Sequence, residues 1–132
     1  MTVELSGSGL SIHDIAAIAR GNESVSISDA SWERIRTCRN MIQNKIDAHE
    51  VMYGVTTGIG EFSEVVLSPE QVKEFQKYLI YSHAAGIGEP MDIDVVRGAM
   101  AGRINVHCHG NSGGRPEVTK QLENMLNRGV TP

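Results

Sequence analysis

The stretch Val51-Met52-Tyr53-Gly54-Val55-Thr56-Thr57-Gly58-Ile59-Gly60 interrupts a chain that otherwise repeats apolar residues with a helical period. Glycine and β-branched residues dominate it, which predicts a short extended segment leading into a mobile loop. Before it, Trp32, Ile35, Ile42 and Ile46 form one apolar stripe, so a helix is expected from about Asp29 to about Glu50. After it, Ser68 as N-cap, Pro69 at the first helical position and Gln71 at N3 form a strong start signal. Val72, Phe75 and Leu79 then carry an apolar face toward Ser82-His83-Ala84-Ala85, and Gly86 and Gly88 are expected to stop that helix.

Working outward, Thr2 to Leu5 reads as a short strand or an ordered arm. Ser11, followed by Asp14 at N3, opens a helix with Ile12, Ile15, Ala16 and Ala19 on one side and Gly21 as terminator. A fourth helix is expected from near Asp92 through Val96, Met100, Arg103 and His107 to Gly110. The turn Asn111-Ser112-Gly113-Gly114 follows, and a last helix starts at Pro116, uses Val118, Leu122, Met125 and Leu126, and ends at Gly129. The expected fold is mainly α, with a short strand and one glycine-rich loop.

Composition narrows the function classes. The 132 residues suffice for one domain with a modest core. Aromatic residues are only 5% of the chain, so aliphatic side chains and Met must fill that core. A net charge of −4 without any Lys/Arg block argues against a nucleic-acid partner. No apolar run approaches the roughly 20 residues that span a bilayer, and Met1-Thr2-Val3-Glu4 has no signal-peptide character. Cys38 and Cys108 read as reduced thiols, so a cytoplasmic protein is expected.

The loop glycines at 54, 58 and 60 lack the Lys-Ser/Thr of a phosphate cradle. Two readings remain on the residues alone, a plain flexible turn and a lid that brings the Tyr53 phenol over a reacting carbon. A phenol ordinarily titrates near about 10, so general-base work calls for cationic or hydrogen-bonding neighbours. His83, one turn after Leu79, reads first as a core or helix-end residue. His107-Cys108-His109 has metal-ligand types, but adjacent helical residues point about 100° apart and cannot converge on one ion. Arg103 and Arg115 could bind a carboxylate, and structural pairing is the plainer expectation.

Tyr53-Gly54-Val55-Thr56-Thr57-Gly58-Ile59-Gly60-Glu61 resembles the catalytic tyrosine loop of the aromatic amino acid ammonia-lyases and aminomutases, which use a 4-methylidene-imidazol-5-one prosthetic group. Ser82-His83-Ala84-Ala85-Gly86-Ile87-Gly88 resembles that family's substrate-selectivity segment. Arg103-Ile104-Asn105 through Gly110-Asn111-Ser112-Gly113-Gly114-Arg115-Pro116 resembles the next helix and turn, and Asn127-Arg128-Gly129-Val130-Thr131-Pro132 the approach to the prosthetic-group segment. The matches keep the family's order over nearly the whole chain.

That resemblance implies that residues 1–132 form the amino-terminal helical domain of the ammonia-lyase, or fumarase/aspartase-like, fold, ending just before the prosthetic-group segment. It assigns Tyr53 as the base removing the substrate's β-proton, Gly60 as a backbone contact to substrate, and His83 as the contact to the substrate's ring. It further implies a carbon–nitrogen lyase that eliminates ammonia from an L-histidine- or L-tyrosine-type amino acid, or a component of a tyrosine 2,3-aminomutase. The family's electrophile arises from an Ala-Ser-Gly tripeptide, which this chain lacks. The resemblance therefore places the prosthetic group on a missing segment or partner chain and expects no activity from this chain alone. A non-catalytic binding or regulatory paralogue is the alternative. No metal is expected, and the family's assembly is a tetramer. Asn111 and Gly114 depart from the family's commoner residues, and Thr56, where histidine lyases typically carry Asn, together with Gly60-Glu61 leans toward the aminomutases and plant-type lyases.

Overall fold

A computed structural model describes the backbone of residues 1–132 and every side chain except that of Pro69. The chain forms two compact units, residues 1–42 with 90–132, and residues 43–89.

The first unit begins with a β-α-β turn of chain. Strand β1 (Thr2–Leu5) and strand β2 (Ser24–Ile27) pair in parallel, with Thr2 opposite Ser24 and Leu5 opposite Ile27. Parallel strands need a crossover, and helix α1 (Ile12–Arg20) supplies it. The Ser11 hydroxyl accepts from the Asp14 amide at 3.2 Å, while Asp14 accepts from the Ser11 amide at 2.9 Å, the expected capping box. The hydroxyl and amide of Ser11 hold the Asp14 carboxyl below the ordinary carboxylate range. Strand β2 is not foreseen by the sequence reading. Its Ser-Val-Ser-Ile alternation buries Val25 and Ile27, but four residues carry too little periodicity to stand out.

Helix α2 (Asp29–Asp47) starts in this unit and ends three residues before the expected Glu50. The left-handed backbone of His49 (φ 57°) breaks it, and Lys45 pairs with Glu50 across the break. Helix α4 (Ile93–His107) and helix α5 (Pro116–Asn127) begin close to the positions expected. Leu5, Ile18, Val25, Ile27, Met100, Ala101, Ile104, Cys108 and Leu126 form the core. Two polar side chains close it. The buried Arg97 guanidinium donates to the Ile18 carbonyl at 2.8 and 3.1 Å and to the Leu126 carbonyl at 3.0 Å. These are last-turn carbonyls of α1 and α5, where a cation suits the helix dipole. Asn127 accepts from the Val25 amide at 2.7 Å and donates to the Val25 carbonyl at 2.9 Å, covering the edge of β2 as a third strand would.

The second unit holds the end of α2, the glycine-rich segment, a 3-10 turn (Gly60–Phe62) and helix α3 (Pro69–His83). Ser68 caps α3, accepting from Gln71 at 3.3 Å while the Gln71 side chain accepts from the Ser68 amide at 2.9 Å. The helix ends at His83, with Ala84 as its cap, before the glycines expected to stop it. Among the described residues, no helix is long and apolar enough to cross a membrane.

Candidate active site

All three residues singled out by the sequence lie in the second unit. The segment after α2 is not extended, as the glycine and β-branched content suggested. It turns immediately, because the amides of Val55 and Thr56 both donate to the Met52 carbonyl, at 3.1 and 3.0 Å. Two threonine side chains explain why a turn wins over a strand. The Thr56 hydroxyl donates to the Glu50 carbonyl at 2.9 Å and accepts from the Met52 amide at 2.8 Å. The Thr57 hydroxyl accepts from the Gly54 amide at 3.2 Å and donates to the Gly58 carbonyl at 2.9 Å. Local side-chain bonds of this kind compete with sheet ladders. Both threonines are buried, Thr57 to 1% exposure.

The segment then folds back on itself. Thr57 bridges Val66 in antiparallel fashion, with Gly58 donating to Val65 at 3.1 Å and Leu67 to Thr56 at 3.0 Å. Gly58 has no room for a side chain, since a Cβ there would lie 2.6 Å from that of Phe62 and 2.7 Å from the Phe62 carbonyl oxygen. Gly60 differs. Its φ of +57° favours glycine, and the space where a Cβ would stand is open.

This fold brings Tyr53 and Gly60 together. The Gly60 amide donates to the Tyr53 phenol oxygen at 3.2 Å, while the tyrosine side chain stays 67% exposed. A backbone N–H on the oxygen is one of the neighbours that general-base work by a phenol calls for. His83 takes its partners from its own helix. Its Nδ1 lies 2.9 Å from the Leu79 carbonyl oxygen and 2.9 Å from the Ser82 hydroxyl. The residue is exposed, contrary to a place in the core. At the start of α3, the local backbone N–H and the Ser68 hydroxyl hold the Glu70 carboxyl below its usual range. A cleft of about 580 Å³ in this unit is lined by Ile46, Asp47, His49, Thr56, Val66, Leu67 and Val72, which leaves Tyr53, Gly60 and His83 outside it.

The other residues raised by the sequence lie in the first unit. His107 Nδ1 lies 3.0 Å from the Thr119 hydroxyl, and burial, followed by the Arg103 charge, lowers its pKa. The buried Cys108 thiol faces the Leu5 carbonyl, and desolvation pushes its pKa up. His109 is exposed. Among the described residues, no three His, Cys, Asp or Glu side chains gather as a metal site. Arg103 and Arg115 lack the structural pairing expected of them, since neither guanidinium meets a carboxylate among the described residues; Arg34 and Arg97 hold the carbonyl contacts instead. The sequence signal for Arg97 was only a charge within an apolar helical stretch.

The sequence matches the family described as aromatic amino acid lyase over residues 10–132. The chain belongs to that family. It is 38% identical over 130 residues to a histidine ammonia-lyase of Alkaliphilus metalliredigens, covering 98% of this chain and 26% of that enzyme. The chain thus spans about a quarter of the length of the curated relatives it matches. Among solved structures, tyrosine aminomutase from Streptomyces globisporus superposes with a TM-score of 0.94 at 29% identity, covering 100% of this chain and 25% of that one. Histidine ammonia-lyase from Trypanosoma cruzi gives 0.89 at 33% identity, covering 96% and 25%. The mainly helical architecture, with its short two-stranded sheet, is therefore that of the ammonia-lyase fold.

Proposed function

We propose that this chain supplies the tyrosine loop of an ammonia-lyase acting on an L-histidine- or L-tyrosine-type amino acid. The observation that carries the reading is the Tyr53 phenol, exposed and held by the Gly60 amide at 3.2 Å, in a chain of this family. Tyr53 accepts the β-proton of the substrate. Gly60 offers open backbone beside the phenol, and His83 contacts the substrate's ring from the end of α3.

The chain holds no Ala-Ser-Gly, so it is not the source of the family's prosthetic group. That group, when present, supplies the electrophile that makes the substrate's amine a leaving group. The remainder of the enzyme carries it, as a further segment or a partner chain, and this chain alone is inactive. The complete enzyme is an oligomer, a tetramer by the family's pattern, in the cytoplasm.

A second reading, as part of a tyrosine aminomutase, draws on the likeness to that enzyme and on Thr56. The geometry weakens the second support, because the Thr56 hydroxyl is spent on Glu50 and Met52 inside the base of the loop. The test is to combine this chain with the segment bearing Ala-Ser-Gly and to assay ammonia release from histidine, tyrosine and phenylalanine. Tyr53→Phe is expected to lower kcat by at least about a hundredfold, in the range of general acid–base contributions. A rate unchanged by that substitution refutes the assignment of Tyr53. A β-amino acid product in place of free ammonia selects the aminomutase reading.

A further inference from the structure

We infer that Thr57 is the positioning residue for Tyr53, setting the phenol through a buried hydroxyl that never meets the substrate. The inference rests on the reading of Tyr53 as the base. A single oxygen, Thr57 Oγ1, binds both arms of the loop. It accepts from Gly54, the residue after Tyr53, and donates to Gly58, which lies just before Ile59 and Gly60. Those two ends are the ones that meet again outside, where Gly60 donates to the phenol.

The hydroxyl is anchored rather than adrift. The Thr57 backbone bridges Val66, and the flanking pairs Gly58–Val65 and Leu67–Thr56 fix it from both sides. The side chain therefore transmits that fixed frame to Gly54 and Gly58, the loop positions near Tyr53 and Gly60. Glycines at 54, 58 and 60 give the loop unusual backbone freedom. Tyr53 has little packing to compensate, being 67% exposed. Loss of the tie leaves a half-buried N–H and a buried carbonyl without this partner and frees the phenol to wander. Misplacement of a reacting group by about 1 Å costs on the order of a hundredfold in rate.

The experiment uses the complete lyase with Thr57→Val, which keeps the shape and removes the hydroxyl, and Thr57→Ser, which keeps the hydroxyl. Thr57→Val is expected to lower kcat roughly tenfold or more with KM within about twofold, and Thr57→Ser to restore most of the rate. Added to Tyr53→Phe, Thr57→Val should cost little further, because the two act as one unit. The inference falls if Thr57→Val keeps its kcat, if Thr57→Ser fails as badly as Thr57→Val, or if the losses add. A Tyr53→Phe enzyme with full rate refutes the base assignment instead; a dead Tyr53→Phe beside a silent Thr57→Val refutes only the positioning role. Should Thr57→Val fail to fold, amide exchange in the unmodified enzyme decides. The Gly54 amide is expected to be protected, and exchange at the rate of an open loop overturns the inference.

Discussion

His83 carries more chemical information than its identity alone. A carbonyl oxygen only accepts, so the 2.9 Å contact to Leu79, which also accepts from the Ser82 hydroxyl at 3.0 Å, suits the tautomer that carries its hydrogen on Nδ1. That tautomer leaves Nε2 as an acceptor. A substrate ring that donates a hydrogen bond fits this arrangement, and one that only accepts does not. In the complete lyase, L-tyrosine is therefore expected to be processed in preference to its O-methyl ether, by on the order of tenfold in kcat/KM for one lost hydrogen bond. His83→Leu should erase that difference; equal use of the two substrates by the unmodified enzyme would refute the acceptor role. The sequence showed this residue's position but not its surroundings. Spacing from Leu79 suggested an apolar face, whereas exposure depends on what packs on the helix, which spacing does not encode. The Tyr53–Gly60 pair was legible as a motif, and the hydrogen bond between them was not, because it needs the turn built by Thr56 and Thr57.

At the scale of elements, the helix starts were the most legible features because their signals are local. Ser11 and Ser68 bond within three residues of themselves, and both capping boxes form as read. Strand β2 pairs with residues about 22 positions earlier, and the Asn127 contact on its edge spans 102 positions, so no short window contains either. Arg97 is the sharpest such case. Inside α4 it is one charge in an apolar run, yet its buried fork joins the ends of α1 and α5. Arg97→Met is expected to destabilise the chain by about 3 kcal/mol, since hydrogen bonds from a charged group are lost and two buried carbonyls are left with fewer partners. Arg97→Lys should not restore stability, because a single ammonium lacks the planar fork. Urea denaturation followed by circular dichroism measures both. A loss below about 1 kcal/mol for Arg97→Met would mean that water replaces the guanidinium at little cost.

Across the whole molecule, the two units differ in how they are held. The core side chains, from Leu5 to Leu126, all belong to the first unit. Among the described residues of the second, only Thr56, Thr57 and Gly58 are buried, and none of these is a large apolar side chain. Phe62, Tyr78, Ile80 and Tyr81 of that unit stand 59–67% exposed, and Tyr78 meets Tyr81 edge-on with ring centroids 6.4 Å apart. Local stability follows buried apolar contact, so α3 should open far more readily than α4. Amide hydrogen exchange on this chain is expected to run at least about tenfold faster in α3 than in the middle of α4. Exposed apolar surface on this scale marks an interaction face, and the proposed remainder of the lyase is the partner that the function requires. Assembly with it should slow exchange across α3 and leave Met100 to Ile104 nearly unchanged. Equal protection of α3 and α4 in the chain alone would contradict the burial argument. Fast α3 exchange that persists after assembly would instead remove the support for a chain completed by the prosthetic-group segment, and would favour the non-catalytic paralogue.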